Sequence, residues 1–233
     1  MTARWETIKI DGRDVRCYVA TPNHTRPRAG VVVAMHGMGL DESMCDVAHR
    51  LHRAGYAVAI PDLFHRQPAT MPEVMGRLKM MRDTEIITDL NTAADHLKSH
   101  AGPISNLGVM GFCMGGRMAY LMASANPAFR AAAVFYGGGI MDSWGDGPSP
   151  FARTADIACP VIGFFGEHDT NPTPADVQKI DAEMTRLNKW HEFHMYRDAG
   201  HAFHNFINPD RYRARAAQAS WGELLAFFES TLS

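Results

Sequence analysis

The chain has no run of about 18 apolar residues, the length a membrane-crossing helix needs, although 46% of its 233 residues are hydrophobic. It has no excess of one charge either: 23 Lys and Arg against 25 Asp and Glu leave a net charge of −2. That balance excludes a general nucleic-acid or membrane-surface role, which needs basic excess. The opening stretch MTARWETIKIDGRDV carries no apolar signal core, so a cytoplasmic protein is expected. Internal repeats and low-complexity segments are missing, and 233 residues suit one domain spanning 1–233. Cysteine is scarce. Cys17, Cys45, Cys113 and Cys159 are far apart with no CxxC pair, so free thiols are expected rather than a disulfide framework. Cys17 is placed on an edge strand, Cys45 at a helix start, and Cys159 in packing before a strand.

What is present is a regular alternation. Short apolar runs recur at Val31–Met35, Tyr56–Ile60, Leu107–Met110, Ala131–Tyr136 and Val161–Phe165, as in strands buried on both faces. Helical patterns separate them at 43–53, 73–98, 114–125 and 174–188, with a last one at 207–230. Trp5–Ile10 and Val15–Val19 flank Asp11-Gly12, a hairpin signal. Two strands followed by repeated β–α units predict an α/β fold: a mostly parallel twisted sheet with helices on both faces and an antiparallel start. The loop 137–157 is long and rich in Gly, Pro and Ser, and is expected to border a site.

One turn stands out. Strand Leu107–Met110 runs into Gly111-Phe112-Cys113-Met114-Gly115 and then a helix. A G-x-nucleophile-x-G turn lifts its central side chain above the sheet. The helix N-terminus behind it favours thiolate over thiol. Acyl transfer on such a scaffold needs an acid and then a histidine on later loops. Asp169 follows Val161–Phe165 in FFGEHDT, and His201 follows the expected strand Glu192–Arg197 in DAGHAF. The expected roles are Cys113 as nucleophile, His201 as base and Asp169 as its orienter. Oxyanion donors are expected from the backbone N–H groups of Met114 and Gly37.

With these residues assembled, the chain resembles the dienelactone hydrolase family, a cysteine branch of the α/β-hydrolases. The resemblance is carried by GYAVAIPDLFHR at 55–66, GVMGFCMGGRMAY at 108–120, GEHD at 166–169 and AGHAF at 199–203. It implies an α/β-hydrolase fold, a Cys113–His201–Asp169 triad and hydrolysis of a cyclic enol ester from aromatic-ring degradation. Two positions depart from the family pattern. The resemblance implies a glutamate where this chain has His36. That histidine can either stabilise the thiolate as a cation or shape the oxyanion loop; Asp41 and Glu42 lie too far along to be taken as substitutes. It also implies a carboxylate-binding arginine where this chain has Asn205. Arg77 and Arg82 are the candidates to replace it, with Arg66 and His65 at a strand end. Arg117 reads as structural.

Twelve histidines invite a metal, but HEFH at 191–194 is not H-E-x-x-H, and on a strand its two rings fall on opposite faces. His49 and His52 share a helical face without a third ligand, and His204 either lines the pocket or packs. No metal and no cofactor are expected; Gly137–Gly139 lacks dinucleotide-binding spacing. Met35, Met38, Met44, Met71, Met75, Met80 and Met81 either fill core or make a pliable pocket wall. The expected substrate is a small ester or lactone. The alternatives are a general carboxylesterase or thioesterase acting on uncharged substrates, and a non-enzymatic thiol sensor.

Overall fold

Asp11 and Gly12 both take positive φ, 48° and 75°, the conformation an Asp-Gly hairpin turn requires. They join β1 (Thr2–Ile10) to β2 (Arg13–Thr21) in antiparallel register. A computed structural model describes residues 2–22, 26–68 and 73–233. The apolar runs form β3 (Gly30–Ala34), β4 (Ala57–Pro61), β5 (Leu107–Phe112), β6 (Phe129–Phe135) and β7 (Val161–Gly166), and β8 (His191–Tyr196) closes the far edge. The sheet order is β1-β2-β4-β3-β5-β6-β7-β8. β2 pairs antiparallel with β4, and every later pairing is parallel. Every residue of β3, β4, β5 and β7 is buried, which is why these strands read as unbroken apolar runs.

Helices α1 (Glu42–Arg53), α2 (Val74–Met80), α3 (Asp83–His100), α4 (Met114–Ala125), α5 (Pro174–Arg186) and α6 (Ala214–Leu232) cover both faces. Their starts follow local chemistry. Asp41 caps α1 by accepting from Ser43 and Met44 N–H, and Thr173 forms a capping box with Asp176 at α5. One aromatic ring per strand crosses the sheet at matched register. Phe112 lies 4.5 Å from Phe135, Phe135 4.5 Å from Phe164, and Phe164 5.4 Å from His194. Each buried phenylalanine contributes about 1.5–3 kcal/mol of apolar burial. Among the described residues, no helix is long and apolar enough to cross a membrane.

Four local expectations need correction. The segment 73–98 is two helices, because Met81 and Arg82 are extended; the break turns Met81 and Asp83 inward, where both are buried. The last helix begins at Ala214 rather than 207. Asn205 Oδ1 accepts from Ile207 N–H, and Pro209 holds Asn208 away from helical geometry. The loop 137–157 contains a short 3₁₀ helix, Phe151–Asp156. Cys17 is on β2, which is paired on both sides, so it lies inside the sheet and is fully buried. Met71 falls outside the described residues.

The first turn of α4 leaves no room for a methyl group. A Cβ on Gly115 would lie 2.0 Å from the Ala34 carbonyl oxygen. Gly222, midway along α6, has open space around it. Gly115→Ala is expected to cost at least about 2 kcal/mol, whereas Gly222→Ala is expected to gain about 0.5–1 kcal/mol. Urea denaturation midpoints of the two variants measure both.

Candidate active site

The carboxyl ends of β3, β5, β6, β7 and β8 surround a cavity of about 1270 Å³. Cys113 caps α4 with φ 55° and ψ −118°, a conformation that costs a non-glycine residue about 1–3 kcal/mol. The surroundings hold it there. Cys113 N–H donates to Phe135 O at 3.0 Å, and Arg117 N–H donates to Cys113 O at 3.2 Å. The turns after β7 and β8 are drawn together by Glu167 N–H on Tyr196 O and His168 N–H on Ala199 O, each 3.0 Å. That contact brings Asp169 and His201 side by side. His201 Nδ1 donates to Asp169 Oδ2 at 3.0 Å and Oδ1 at 3.2 Å, which leaves Nε2 for the thiol. Tyr136 packs edge-on against the His201 ring at 5.3 Å.

The His201 ring and the backbone N–H groups of Met114 and Gly37 face the sulfur of Cys113 and favour its thiolate. Burial pushes the thiol up, but these three groups and the imidazolium charge outweigh it, and the net shift is down. His201 mirrors this. Burial disfavours its cation, yet Asp169 and the Cys113 thiolate more than restore it, and its affinity for the proton rises. A thiolate beside an imidazolium is therefore the favoured pair. The other thiols differ: burial pushes Cys17 and Cys159 up to about 12, and burial with Asp41 and Glu42 raises Cys45.

His36 lines the cavity with both ring nitrogens engaged. Nδ1 accepts from Met38 N–H at 3.1 Å, so Nε2 carries the proton towards Ser43 Oγ at 3.0 Å and Asp41 Oδ2 at 3.2 Å. Burial would raise the Asp41 carboxyl, but hydrogen bonds from His36, Ser43 and Met44 N–H carry it down to about 2. That Asp41 folds back onto His36 is visible only in the structure.

Of the candidate cations, Arg82 lines the cavity and spends Nη1 on the Lys79 and Met81 carbonyls. Arg77 does not line it; its guanidinium lies 4.9 Å over the Phe64 ring, on the other side of α2. Arg66 and His65 also stay outside. Arg66 Nη1 binds Asp89 at 2.6 Å and Nη2 binds Asp11 at 2.6 Å, and His65 Nε2 lies 3.1 Å from Asp89. Lys79, Arg211 and Arg213 line the cavity and were not anticipated, Arg213 spending its guanidinium on the Asp198, Asp210 and Tyr212 carbonyls. Neither they nor Arg82 has a carboxylate partner among the described residues. Asn205 also faces the cavity. His204 packs instead: buried between Phe112, Phe135 and Trp221, it is pushed down to about 3 by burial and Arg50 and stays neutral. Met38, Met75 and Met81 line the cavity, whereas Met35 and Met44 are core and Met80 is exposed.

Arg117 is fully buried and fixes the wall formed by the 137–145 loop. Nη1 and Nη2 meet Asp83 at 2.5 and 3.0 Å, Nε reaches Gly139 O at 2.9 Å, and Nη2 reaches Asp142 O at 2.6 Å. Trp144 stacks on the guanidinium at 3.9 Å.

A strained strand-to-helix turn at the carboxyl edge of a mostly parallel sheet marks the α/β-hydrolase class. Within that class, the chain belongs to the dienelactone hydrolase family, whose model matches residues 15–232, and it is a hydrolase of ester or lactone bonds. A Yersinia pestis protein named "Putative carboxymethylenebutenolidase" is 31% identical over 230 residues, covering 95% of this chain and 86% of that one. A Bradyrhizobium protein named "Probable 2-oxo-3-(5-oxofuran-2-ylidene)propanoate lactonase" is 30% identical, covering 96% and 92%. The solved structure of a "Putative Dienelactone Hydrolase" from Klebsiella pneumoniae superposes with a TM-score of 0.91 at 28% identity, covering 98% of each chain.

The electrostatics give a signed expectation. Thiolate is lost as pH falls through the depressed Cys113 value, and the imidazolium is lost as pH rises through the elevated His201 value. Asp169→Asn removes the negative charge from the acceptor that raises His201 most, so the imidazolium deprotonates earlier and no longer supports the thiolate. Titration of the thiolate by its ultraviolet absorbance is expected to move the Cys113 midpoint up by about one unit or more. An unmoved midpoint would show that Asp169 does not sustain the pair.

Proposed function

We propose that Cys113, His201 and Asp169 hydrolyse a small enol lactone, of the carboxymethylenebutenolide kind, through a thioester intermediate. The observation that carries this is the convergence on one sulfur of the His201 ring and the Met114 and Gly37 N–H groups, at the floor of an open cavity. The thiolate attacks the lactone carbonyl, and the developing oxyanion takes hydrogen bonds from Met114 and Gly37 N–H. The ring C–O bond breaks and the enolate leaves, taking a proton and tautomerising to the ketone. Having given its proton to the enolate, His201 takes one from the water that attacks the thioester, and the sulfur leaves as thiolate beside the restored imidazolium. Asp169 holds the imidazole Nδ1–H throughout. An enolate is a good leaving group from a thiolate adduct, and an amide nitrogen is a poor one. His36, with both nitrogens tied into its own loop, acts by aiming the Gly37 N–H rather than by touching the thiol.

Lys79, Arg82 and Arg211, with Arg213 beside them, stand at a cavity whose Asn205 cannot pair with an anion by charge. In this reading they take over recognition of the substrate carboxylate. The second reading, an esterase for uncharged substrates, rests on the apolar wall of Met38, Val74, Leu78, Met81 and Trp144.

Turnover of cis- and trans-dienelactone and of an uncharged aryl ester separates the two. Cys113→Ala is expected to lower kcat/KM by at least roughly 10³-fold on any true substrate. Retained activity in that variant would remove the thiol from the mechanism. Arg82→Ala is expected to raise KM for the dienelactone roughly tenfold, about 1.4 kcal/mol of binding, and to leave the aryl ester unaffected. Cys113-dependent turnover of the aryl ester alone would favour the second reading.

A further inference from the structure

At the far edge of the sheet, a second group of side chains converges with no role in the chemistry above. Glu192, His194 and Tyr196 alternate along β8 and so share one face. Glu223 of α6 comes down beside them. One ligand atom from each of Glu192, His194 and Glu223 lies within 4.8 Å of the other two.

His194 is the fixed member. Its ring lies nearly parallel to Phe164 (15°, centroids 5.4 Å apart), the end of the aromatic row across the sheet. Its Nε2 lies 3.0 Å from Glu192 Oε1, yet that atom is shut off from solvent and makes no well-directed hydrogen bond. Tyr196 Oη is orphaned in the same way. No lysine or arginine pairs with Glu192 or Glu223 among the described residues. Two carboxylates facing one imidazole whose Nε2 is unsatisfied, beside the orphaned Tyr196 Oη, form a donor set suited to a cation.

We propose that Glu192, His194 and Glu223 form a binding site for a divalent transition-metal ion, with zinc the best match. Imidazole nitrogen with carboxylate oxygen suits zinc, whereas calcium and magnesium favour oxygen ligands throughout. Zinc bonds of about 2.0–2.2 Å suit ligand atoms that start within 4.8 Å of one another, with Glu192 Oε1 already 3.0 Å from His194 Nε2. The two glutamates are exposed and long enough to swing inward onto the fixed ring. The bound ion ties edge strand β8 to the C-terminal helix α6, two elements 29 positions apart between His194 and Glu223. It also blunts a free sheet edge. The site departs from the metal-free expectation because its third ligand comes from a helix remote from the HEFH stretch.

The test is zinc titration of the full chain carrying Cys113→Ala, which removes the reactive thiolate as a competing ligand, read by a competing chromophoric chelator and by thermal melting. The expected result is one equivalent of zinc bound and a raised melting temperature. Glu223→Gln and His194→Gln added to that chain should each weaken binding by at least about tenfold. Glu223 is exposed, so its variant is expected to melt like the parent without zinc, which separates loss of a ligand from loss of the fold. Absence of stoichiometric uptake would overturn the proposal, as would uptake that neither variant weakens, the mark of an adventitious ion held elsewhere.

Discussion

The structure depends on one close backbone approach. The first turn of α4 presses against the ends of β3 and β6, with Gly115 over the Ala34 carbonyl and Gly116 over the Phe135 carbonyl. Only at that distance can Cys113 be held at φ 55° between a strand and a helix, with its sulfur above the sheet. The same approach places Met114 N–H beside Gly37 N–H, because β3 and β5 are parallel neighbours whose ends coincide at Ala34 and Gly111. Sheet register thus brings the two donors together, and the loop that His36 braces aims the second.

The rest of the site is built outward from that turn. Arg117, one turn into α4, reaches Asp83 at the start of α3 and the carbonyls of Gly139 and Asp142. A buried charge pair is weak evidence for stability. Its geometry here does something else: it locks the loop after β6 against the helix that carries the thiol, and Trp144 closes over it. On the opposite face, the row of Phe112, Phe135 and Phe164 supports the strand ends from beneath. His204 sits neutral on that row, so two histidines three positions apart have opposite tendencies. Asp169 and the thiolate hold the proton on His201, whereas burial and Arg50 keep it off His204.

The same contrast separates the four thiols. Composition treats Cys17, Cys45, Cys113 and Cys159 alike, and burial raises three of them. Cys113 is shielded too, but it alone of the four meets a histidine and two backbone donors. The direction in which each thiol shifts is thus set by what stands next to the sulfur rather than by how much water reaches it.

Much of this was legible in the chain itself. Strands buried on both faces announce themselves as apolar runs, a strained turn demands its glycines, and the Asp and His of a triad follow strands in a set order. Periodicity and turn chemistry act over a few residues, so those features survive in one dimension. What stayed hidden was set by contacts between remote segments. The break at Met81–Arg82 follows from core packing and the pull of Arg117 on Asp83, 34 positions away. Which arginines reach the cavity depended on helix rotation: Arg82 and Arg77 are five apart, and only the fold decides that one lines the pocket while the other stacks on Phe64. Arg211 joined them because Pro209 delays the last helix, and Asp41 met His36 because α1 starts by turning back on its own loop. The sequence by itself determined the elements and the order of the proposed reacting groups, because backbone propensity and burial are local. Only the tertiary structure decided which charges meet and which thiol ionises, because electrostatic partners are chosen by distance in space.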